Sequence, residues 1–182
     1  MPVQLRRMLT VYLAYLAAAK LGLLIPYVGS HIALIWLPSG IAIAAILRWG
    51  VASVIPIYLA SFTANLSIGA PLALAAQMSI GNPLGPLAAA LLLRHFEFNH
   101  ALDRMRDILL LLAAVAAGML ITASSGVLAL AMAGAVAEGE LLQAWFVWWL
   151  GDSVGALLIL PLLLNLERGE IRGLWRHRLK IL

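Results

Sequence analysis

The sequence contains no cysteine, and charged residues make up only 11% of it. Without cysteine the chain has no disulfides, no thiolate metal sites and no cysteine nucleophile. No pair of its four histidines falls at helical spacing within an apolar stretch, which argues against haem or metal ligation there. Phosphate-binding glycine loops and paired catalytic carboxylates are also missing. These absences argue against several common kinds of catalytic and metal site.

Hydrophobic residues, by contrast, make up 64% of the 182 positions. The core of a soluble domain of this size does not absorb so much apolar surface, whereas a membrane bundle exposes it to lipid. A helical crossing needs roughly 20 apolar residues, so the length suits one bundle of about five to seven spans. We therefore interpret the net charge of +4 through membrane topology and predict no nucleic-acid partner.

Charged residues and turn residues divide the apolar sequence into six predicted helices, near residues 8–27, 31–48, 50–67, 71–94, 108–134 and 142–166. Between Arg48 and Arg94 no charged residue occurs for 45 positions, which is too long for one crossing and suits two. A turn over residues 67–71 would join these two spans. The predicted fold is all-α: a polytopic membrane helix bundle of about six transmembrane helices over residues 1–166.

The basic residues lie on one side of this predicted bundle. Eleven of the twelve lysines and arginines share that side: Arg6, Arg7, Arg48, Arg94, Arg104, Arg106, Arg168, Arg172, Arg176, Arg178 and Lys180. The opposite loops carry only the acidic Glu138 and Glu140. Because basic loops resist translocation, this bias predicts that both termini and the loop over residues 95–107 are cytoplasmic.

Two charged residues remain inside the predicted spans, Lys20 on the first and Asp152 on the sixth. Each lies roughly 3–5 Å to the outer side of its helix midpoint at 1.5 Å rise per residue, so their depths match. We predict that the two side chains pair or share a polar cavity. Such a pair is either a structural link between the first and last helices or an element that responds to a ligand or a proton.

Polar and aromatic residues recur at the same or shallower outer depth on several predicted spans. With the two charged residues, they give the following candidates for ligand binding or signal response: Lys20, Trp36, Ser39, Asn65, Gln77, Asn82, Ser124, Trp148, Trp149 and Asp152. Together they suggest a pocket that opens outward, and the stripe of Trp148 and Asp152 would suit a cationic or aromatic ligand. The alternative is that hydroxyls and amides join neighbouring helices while tryptophans anchor the membrane interface.

Small residues at four-residue spacing, Gly81 with Gly85 and Gly151 with Gly155, predict places where membrane helices approach closely. Prolines inside the predicted spans each remove a backbone donor and can kink the helix. These prolines are Pro38, Pro56, Pro83, Pro86 and Pro161.

The segment over residues 167–182 places apolar side chains at helical spacing between basic ones. It predicts a basic amphipathic helix that lies on anionic lipid headgroups. Such a helix is either a cytoplasmic connector that moves with the sixth span or a simple anchor at the inner membrane surface.

Several short motifs are specific in their residues and not only in their hydrophobic periodicity. They are Trp36-Leu37-Pro38-Ser39-Gly40-Ile41-Ala42, Ala64-Asn65-Leu66, Gly81-Asn82, Ser125-Gly126-Val127, Trp148-Trp149-Leu150-Gly151-Asp152-Ser153-Val154-Gly155 and Pro161-Leu162-Leu163. This series resembles the first family of bacterial membrane-associated sensor domains over nearly the whole chain. The sequence departs from the family at residues 83–86, where members usually continue with an acidic residue and alanine. The family's packing is therefore not carried over to the fourth helix.

The resemblance implies a non-catalytic sensory input domain in the bacterial cytoplasmic (inner) membrane. Its output domain in cis would be a diguanylate cyclase or a phosphodiesterase of cyclic di-GMP, or the histidine kinase of a two-component system. Because such enzymes act as pairs, we expect a homodimer, with membrane lipids and a small-molecule or protein ligand as further partners. The output domain is then either removed after residue 182, as we expect, or absent by nature. The alternative function is a small solute-binding subunit of a membrane transporter.

Overall fold

The structure, a computed structural model, describes residues 1–24 and 34–167. Its six α-helices are α1 (Val3–Gly22), α2 (Pro38–Trp49), α3 (Val54–Ser67), α4 (Leu72–His95), α5 (Met105–Met132) and α6 (Leu141–Glu167). Short 3₁₀ turns at Val51–Ser53 and Glu138–Glu140 lead into α3 and α6. No strand occurs in these two ranges, so the predicted all-α class is confirmed for them. Of the predicted connector over residues 167–182, residues 168–182 lie outside the described residues.

Prolines and glycines set several of the helix boundaries. Pro38 occupies the first turn of α2, where its missing N–H costs no intrahelical hydrogen bond. Gly50 ends the same helix with φ of 84°, a conformation that L side chains rarely adopt. The second helix therefore begins seven residues later than the predicted 31–48, and the first ends at Gly22 instead of residue 27. Pro38 starts a helix and does not kink one.

The six helices form a closed circuit in which neighbours pack against each other in the order α1, α3, α4, α5, α6, α2 and back to α1. Contacts between α2 and α4 cross this circuit. At the shared end of these two helices, the Arg94 guanidinium donates to the carbonyls of Ile46 and Leu47 at 2.7 and 2.9 Å. Arg94 thereby attaches the C-terminal end of α2 to α4, and the Ile46 carbonyl also accepts from the Gly50 N–H at 2.9 Å.

Closely packed glycines join α4 to α5. A Cβ added to Gly81 would lie 2.8 Å from the Ser125 Cβ, and one added to Gly118 would lie 2.6 Å from the Gly85 carbonyl oxygen. The predicted close approach at Gly81 and Gly85 is confirmed. It brings the two backbones together over the part of α4 that contains Pro83 and Pro86.

Apolar side chains lie both inside the bundle and on its outer surface. Ile43, Ile57 and Leu160 are fully buried, whereas Leu128, Leu142 and Leu162 are more than half exposed. A bundle that is apolar on both faces is typical of a protein surrounded by lipid. Among the described residues, Met105–Met132 and Glu138–Leu166 are long and apolar enough to cross a membrane. The six-span topology and the cytoplasmic termini stay predictions.

Candidate functional site

A buried carboxyl group lies where α6 meets the start of α2. Asp152 has no exposed surface, and the Ser39 hydroxyl donates to its Oδ1 at 3.2 Å. Ser39 directly follows Pro38, so the proline that begins α2 also places this hydroxyl at the helix start. The other carboxyl oxygen, Oδ2, has no hydrogen-bond partner in the described part of the chain. The acid is therefore held between two helices with one oxygen unsatisfied, a costly arrangement in an apolar interior.

The chain just before α2 is docked directly on α6. The Trp36 backbone N–H donates to the Gly151 carbonyl at 3.0 Å. Gly155 leaves no space for a side chain, because a Cβ there would collide with the main chain of Trp36 and approach the Leu37 nitrogen to 2.8 Å. The predicted close approach at this second glycine motif is confirmed, although its partner is the non-helical segment before α2 and not another helix. Two of the sequence motifs thus pack against each other.

Tyr15 joins α1 to this assembly. Its side chain is 1% exposed, and its hydroxyl accepts a hydrogen bond from the Trp36 indole N–H at 3.3 Å. The two rings meet edge to face, with centroids 6.5 Å apart. The Tyr15 hydroxyl also lies close to the Ser61 side chain and to the Asp152 carboxyl group. Tyr15 therefore connects the carboxyl group to a second polar cluster.

This second cluster lies between α3 and α4. The Ser61 hydroxyl donates to the Ser79 hydroxyl at 3.2 Å, and the Asn65 amide donates to the same oxygen at 3.1 Å. The Asn82 amide in turn donates to Ser61. All four side chains are buried, and the Asn82 carbonyl oxygen has no partner within the described ranges. We call Tyr15, Trp36, Ser39, Ser61, Asn65, Ser79, Asn82, Trp148 and Asp152 the polar core.

The tryptophans of α6 face α5. Trp148 is buried one turn before Asp152, and its ring occupies the space over Gly126, where a Cβ would lie 2.5 Å from Cζ2. The Trp149 indole donates to the Ala116 carbonyl at 2.9 Å, and the Trp145 indole donates to Ser124 at 3.0 Å. Trp148 lies beside the Asp152 carboxyl group and is part of the polar core. Trp149 instead joins α6 to α5, which agrees with the alternative that such side chains serve helix packing.

The predicted contact between Lys20 and Asp152 is wrong. The Lys20 side chain is exposed, and its amine donates to the Ser67 hydroxyl at the end of α3. The reason is the packing order: α1 lies against α2 and α3, whereas α6 lies against α2 and α5. Equal depth in the predicted bundle therefore does not bring the two charges together, and Asp152 has a serine and not a lysine as its partner.

The predicted pocket that opens outward stays a prediction. Ser39, Asn65 and Asn82 are at most 6% exposed and are hydrogen-bonded to other side chains in the interior. Gln77 and Ser124 lie on the outer surface, away from the polar core. The structure therefore brings six of the ten candidates together: Trp36, Ser39, Asn65, Asn82, Trp148 and Asp152.

Sequence reasoning missed Tyr15, Ser61 and Ser79. Ser61 precedes Asn65 by four residues, and Ser79 precedes Asn82 by three. These spacings place each serine on the same helix face as a candidate asparagine, a signal that was available from the sequence. Tyr15 carried no such signal, because it lies among the apolar residues that face the core on α1.

A model of the MASE1 family matches residues 7–180. The chain belongs to the MASE1 family. MASE1 is a membrane-associated sensory domain without catalytic activity, so the predicted family is confirmed together with a sensory role. Comparisons with curated proteins and with solved structures give no match. All residues of the polar core fall within the matched part of this MASE1 domain.

Proposed function

We propose that this MASE1 domain perceives an extracytoplasmic or intramembrane signal through its polar core and transmits it along α6 to a cytoplasmic output enzyme. The observation that carries the proposal is the buried Asp152 on α6, with one carboxyl oxygen that has no hydrogen-bond partner among the described residues. The enzyme classes that follow from the family are those of cyclic di-GMP turnover and histidine kinases. The protein would lie in the bacterial inner membrane as a multi-pass homodimer with both termini cytoplasmic.

The chemistry of the polar core supports a response to a signal. A buried carboxyl group without a basic partner costs free energy to keep charged. Membrane proteins retain such groups mainly at functional sites. The Ser39 hydroxyl is one neutral donor at 3.2 Å, and the Trp148 indole is another group beside the carboxyl. Uptake of a proton or a bound cation would change how strongly α6 is attached to α2.

The geometry of α6 supports transmission. The helix runs over 27 residues from Leu141 to Glu167, roughly 40 Å at 1.5 Å per residue, and Asp152 lies near its middle. Such a helix moves largely as a unit, although Pro161 removes one of its backbone hydrogen bonds. A shift at Asp152 would therefore reach residue 167, where the predicted connector begins.

The experiment uses residues 1–182 fused to a diguanylate cyclase, with cyclic di-GMP measured in cells. Asp152→Asn keeps the size of the side chain and removes its charge, so we expect the cyclase output to change at unchanged protein level. Gln77→Leu is the matched control, because Gln77 is a polar residue on the outer surface of α4, and it should leave the output unchanged. Equal output from the wild type and Asp152→Asn would refute the role of the polar core.

A further inference from the structure

A groove with several small side chains lies on the outside of the bundle where α1, α2 and α6 meet. Its volume is about 210 Å³. Its lining includes Thr10 and Ala14 of α1, Ala44 and Ala45 of α2, and Leu163 of α6. We call it the α1–α2 groove. Small residues on the surface of membrane helices are typical of places where another helix packs closely.

A row of leucines on α6 borders this groove. Leu158, Leu162 and Leu166 follow one another at four-residue spacing, and each side chain is more than half exposed. Leu162 directly precedes Leu163, which lines the groove, and Leu166 lies about one turn further along the helix. Rows of side chains at this spacing form the ridges that pack into the grooves of a neighbouring helix. We call these three leucines the α6 ridge.

The size of the groove matches the side chains of such a ridge. A leucine replaced by alanine in a protein core can leave a cavity of roughly 150 Å³. A groove of about 210 Å³ therefore accommodates one leucine side chain and part of a second. The walls of an unfilled space lose dispersion contacts, so a ridge that enters the groove is stabilised there. The α1–α2 groove and a ridge of matching size thus lie side by side on one face of the domain.

We propose that this face is a twofold interface with a second copy of the chain, in which the α6 ridge of each copy packs into the α1–α2 groove of the other. A closed contact between two identical chains uses the same patch on both, so the patch must contain both the protrusion and the space that receives it. The groove with its adjacent ridge meets this condition. The interface locates the homodimer of the proposed function and rests on that function only in expecting a pair of copies.

The position of the α6 ridge connects this interface to the polar core. Leu162 follows Asp152 by ten residues on the same helix, roughly 15 Å at 1.5 Å per residue. A shift of α6 at Asp152 would therefore change how the ridge fits the groove of the other copy. Because the ridge reaches Leu166, close to the end of α6 at Glu167, two output domains that follow α6 would lie next to each other.

The first test is a disulfide cross-link, which is specific because the chain contains no cysteine. Two differently tagged copies of residues 1–182, one with Ala44→Cys and the other with Leu162→Cys, are placed together in liposomes and oxidised. We expect a cross-link between the two tags, since Leu162 of one copy lies against Ala44 of the other. In the control, Leu128→Cys replaces Leu162→Cys, because Leu128 is equally exposed but lies on α5. Equal yields from the two pairs would overturn the proposal.

The second test measures the dissociation constant of the pair by energy transfer between labelled copies in liposomes. Leu162→Ala removes the middle of the ridge, and Ala44→Leu fills the groove. Each should raise the dissociation constant about tenfold, because a packed contact is lost twice in a twofold pair. Leu128→Ala makes the same change as Leu162→Ala on α5 and should have an effect of less than about twofold. Circular dichroism checks that the helix content of every variant equals that of the wild type.

The two substitutions combined separate a loss of fit from a loss of folding. In the double variant Ala44→Leu with Leu162→Ala, the enlarged side chain in the groove faces a shortened ridge. We therefore expect this variant to pair about threefold more tightly than Ala44→Leu alone. A monomeric wild type, or a double variant that pairs no better than Ala44→Leu, would contradict the interface.

Two further outcomes are distinguished. If Ala44→Leu lowers the amount of copurified phospholipid and leaves the dissociation constant unchanged, the groove holds an acyl chain and the interface is wrong. All of these measurements use residues 1–182 without an output domain. A failure of the interface is therefore separate from a failure of the polar core, which only the cyclase output of Asp152→Asn tests.

Discussion

The main chain of Trp36 lies directly against Gly155, and the Trp36 N–H donates to the Gly151 carbonyl one turn earlier on the same helix. A segment outside the helices is therefore fixed to the middle of α6. This contact aligns the start of α2 with Asp152, because Ser39 follows Trp36 by only three residues. The glycines of the Gly-Asp-Ser-Val-Gly motif thus position the acid between them.

Replacement of Gly155 by alanine should destabilise the domain. The new Cβ would collide with backbone atoms of Trp36 and Leu37, which cannot move as a flexible side chain would. Overpacking of this kind costs roughly 1–3 kcal/mol. Thermal unfolding in detergent, followed by circular dichroism, measures the effect. Gly139→Ala is the control, since nothing lies within 4 Å of a Cβ at that position, and its melting temperature should equal that of the wild type.

Lys20 and Asp152 should act independently. In the structure their partners are Ser67 and Ser39, on different helices. In a double-mutant cycle of Lys20→Met and Asp152→Asn, the effects on the free energy of unfolding should add within about 0.5 kcal/mol, as for distant sites. A coupling above about 1 kcal/mol would show that the two charges meet after all. Steric trapping in bicelles gives the required free energies.

Tyr15→Phe should change the cyclase output of the fusion although it lowers the stability of the domain only slightly. The substitution removes the hydroxyl that accepts from Trp36 and interacts with Ser61, at a cost of about 0.5–1.5 kcal/mol. The cyclase fusion reports the signalling effect. Tyr12→Phe is a matched control, because the Tyr12 hydroxyl hydrogen-bonds Thr63 at 3.0 Å outside the polar core. Similar outputs from the two variants would count against the polar core.

Reporter tags test the predicted topology. We expect a tag at Gly69, in the turn between α3 and α4, to lie outside the cytoplasm, and a tag after Leu182 to lie inside it. Paired alkaline phosphatase and green fluorescent protein fusions measure both positions. Gly134, between α5 and α6, should give the same result as Gly69. Cytoplasmic fluorescence from a tag at Gly69 would contradict the scheme.

Helices were predicted well because the signals for them are local. Long apolar stretches, charged interruptions and turn residues divide the chain as the structure does, with α3 to α6 displaced by at most a few residues. The start of α2 was misplaced, since Pro38 lies in the middle of an apolar stretch and its role as a helix start was not recognised. A hydropathy pattern reports where apolar residues are frequent, so it does not detect a helix that begins at a proline within an apolar stretch.

The polar core was predicted in part. Polar residues on the motifs indicated Ser39, Asn82 and Asp152 as candidates, and the structure places all three in the interior. The depth of a residue along a helix, however, does not say which way its side chain faces. Gln77 and Asn82 are close in sequence, yet one faces outward and the other inward. Lys20 was paired wrongly for the same reason, combined with the packing order of the helices.

The sequence by itself determined that this protein is a helical, lipid-compatible bundle of the MASE1 family, because composition and family motifs are properties of the chain alone. Only the tertiary structure decided that Asp152 meets Ser39 and Trp148, that Tyr15 links it to the second cluster, and that Lys20 lies elsewhere. The physical reason is that a contact between distant helices depends on their order and rotation in the bundle. The order and rotation of the helices depend on the close approach of glycines such as Gly40, Gly118 and Gly155. They cannot be inferred from the periodicity of apolar residues.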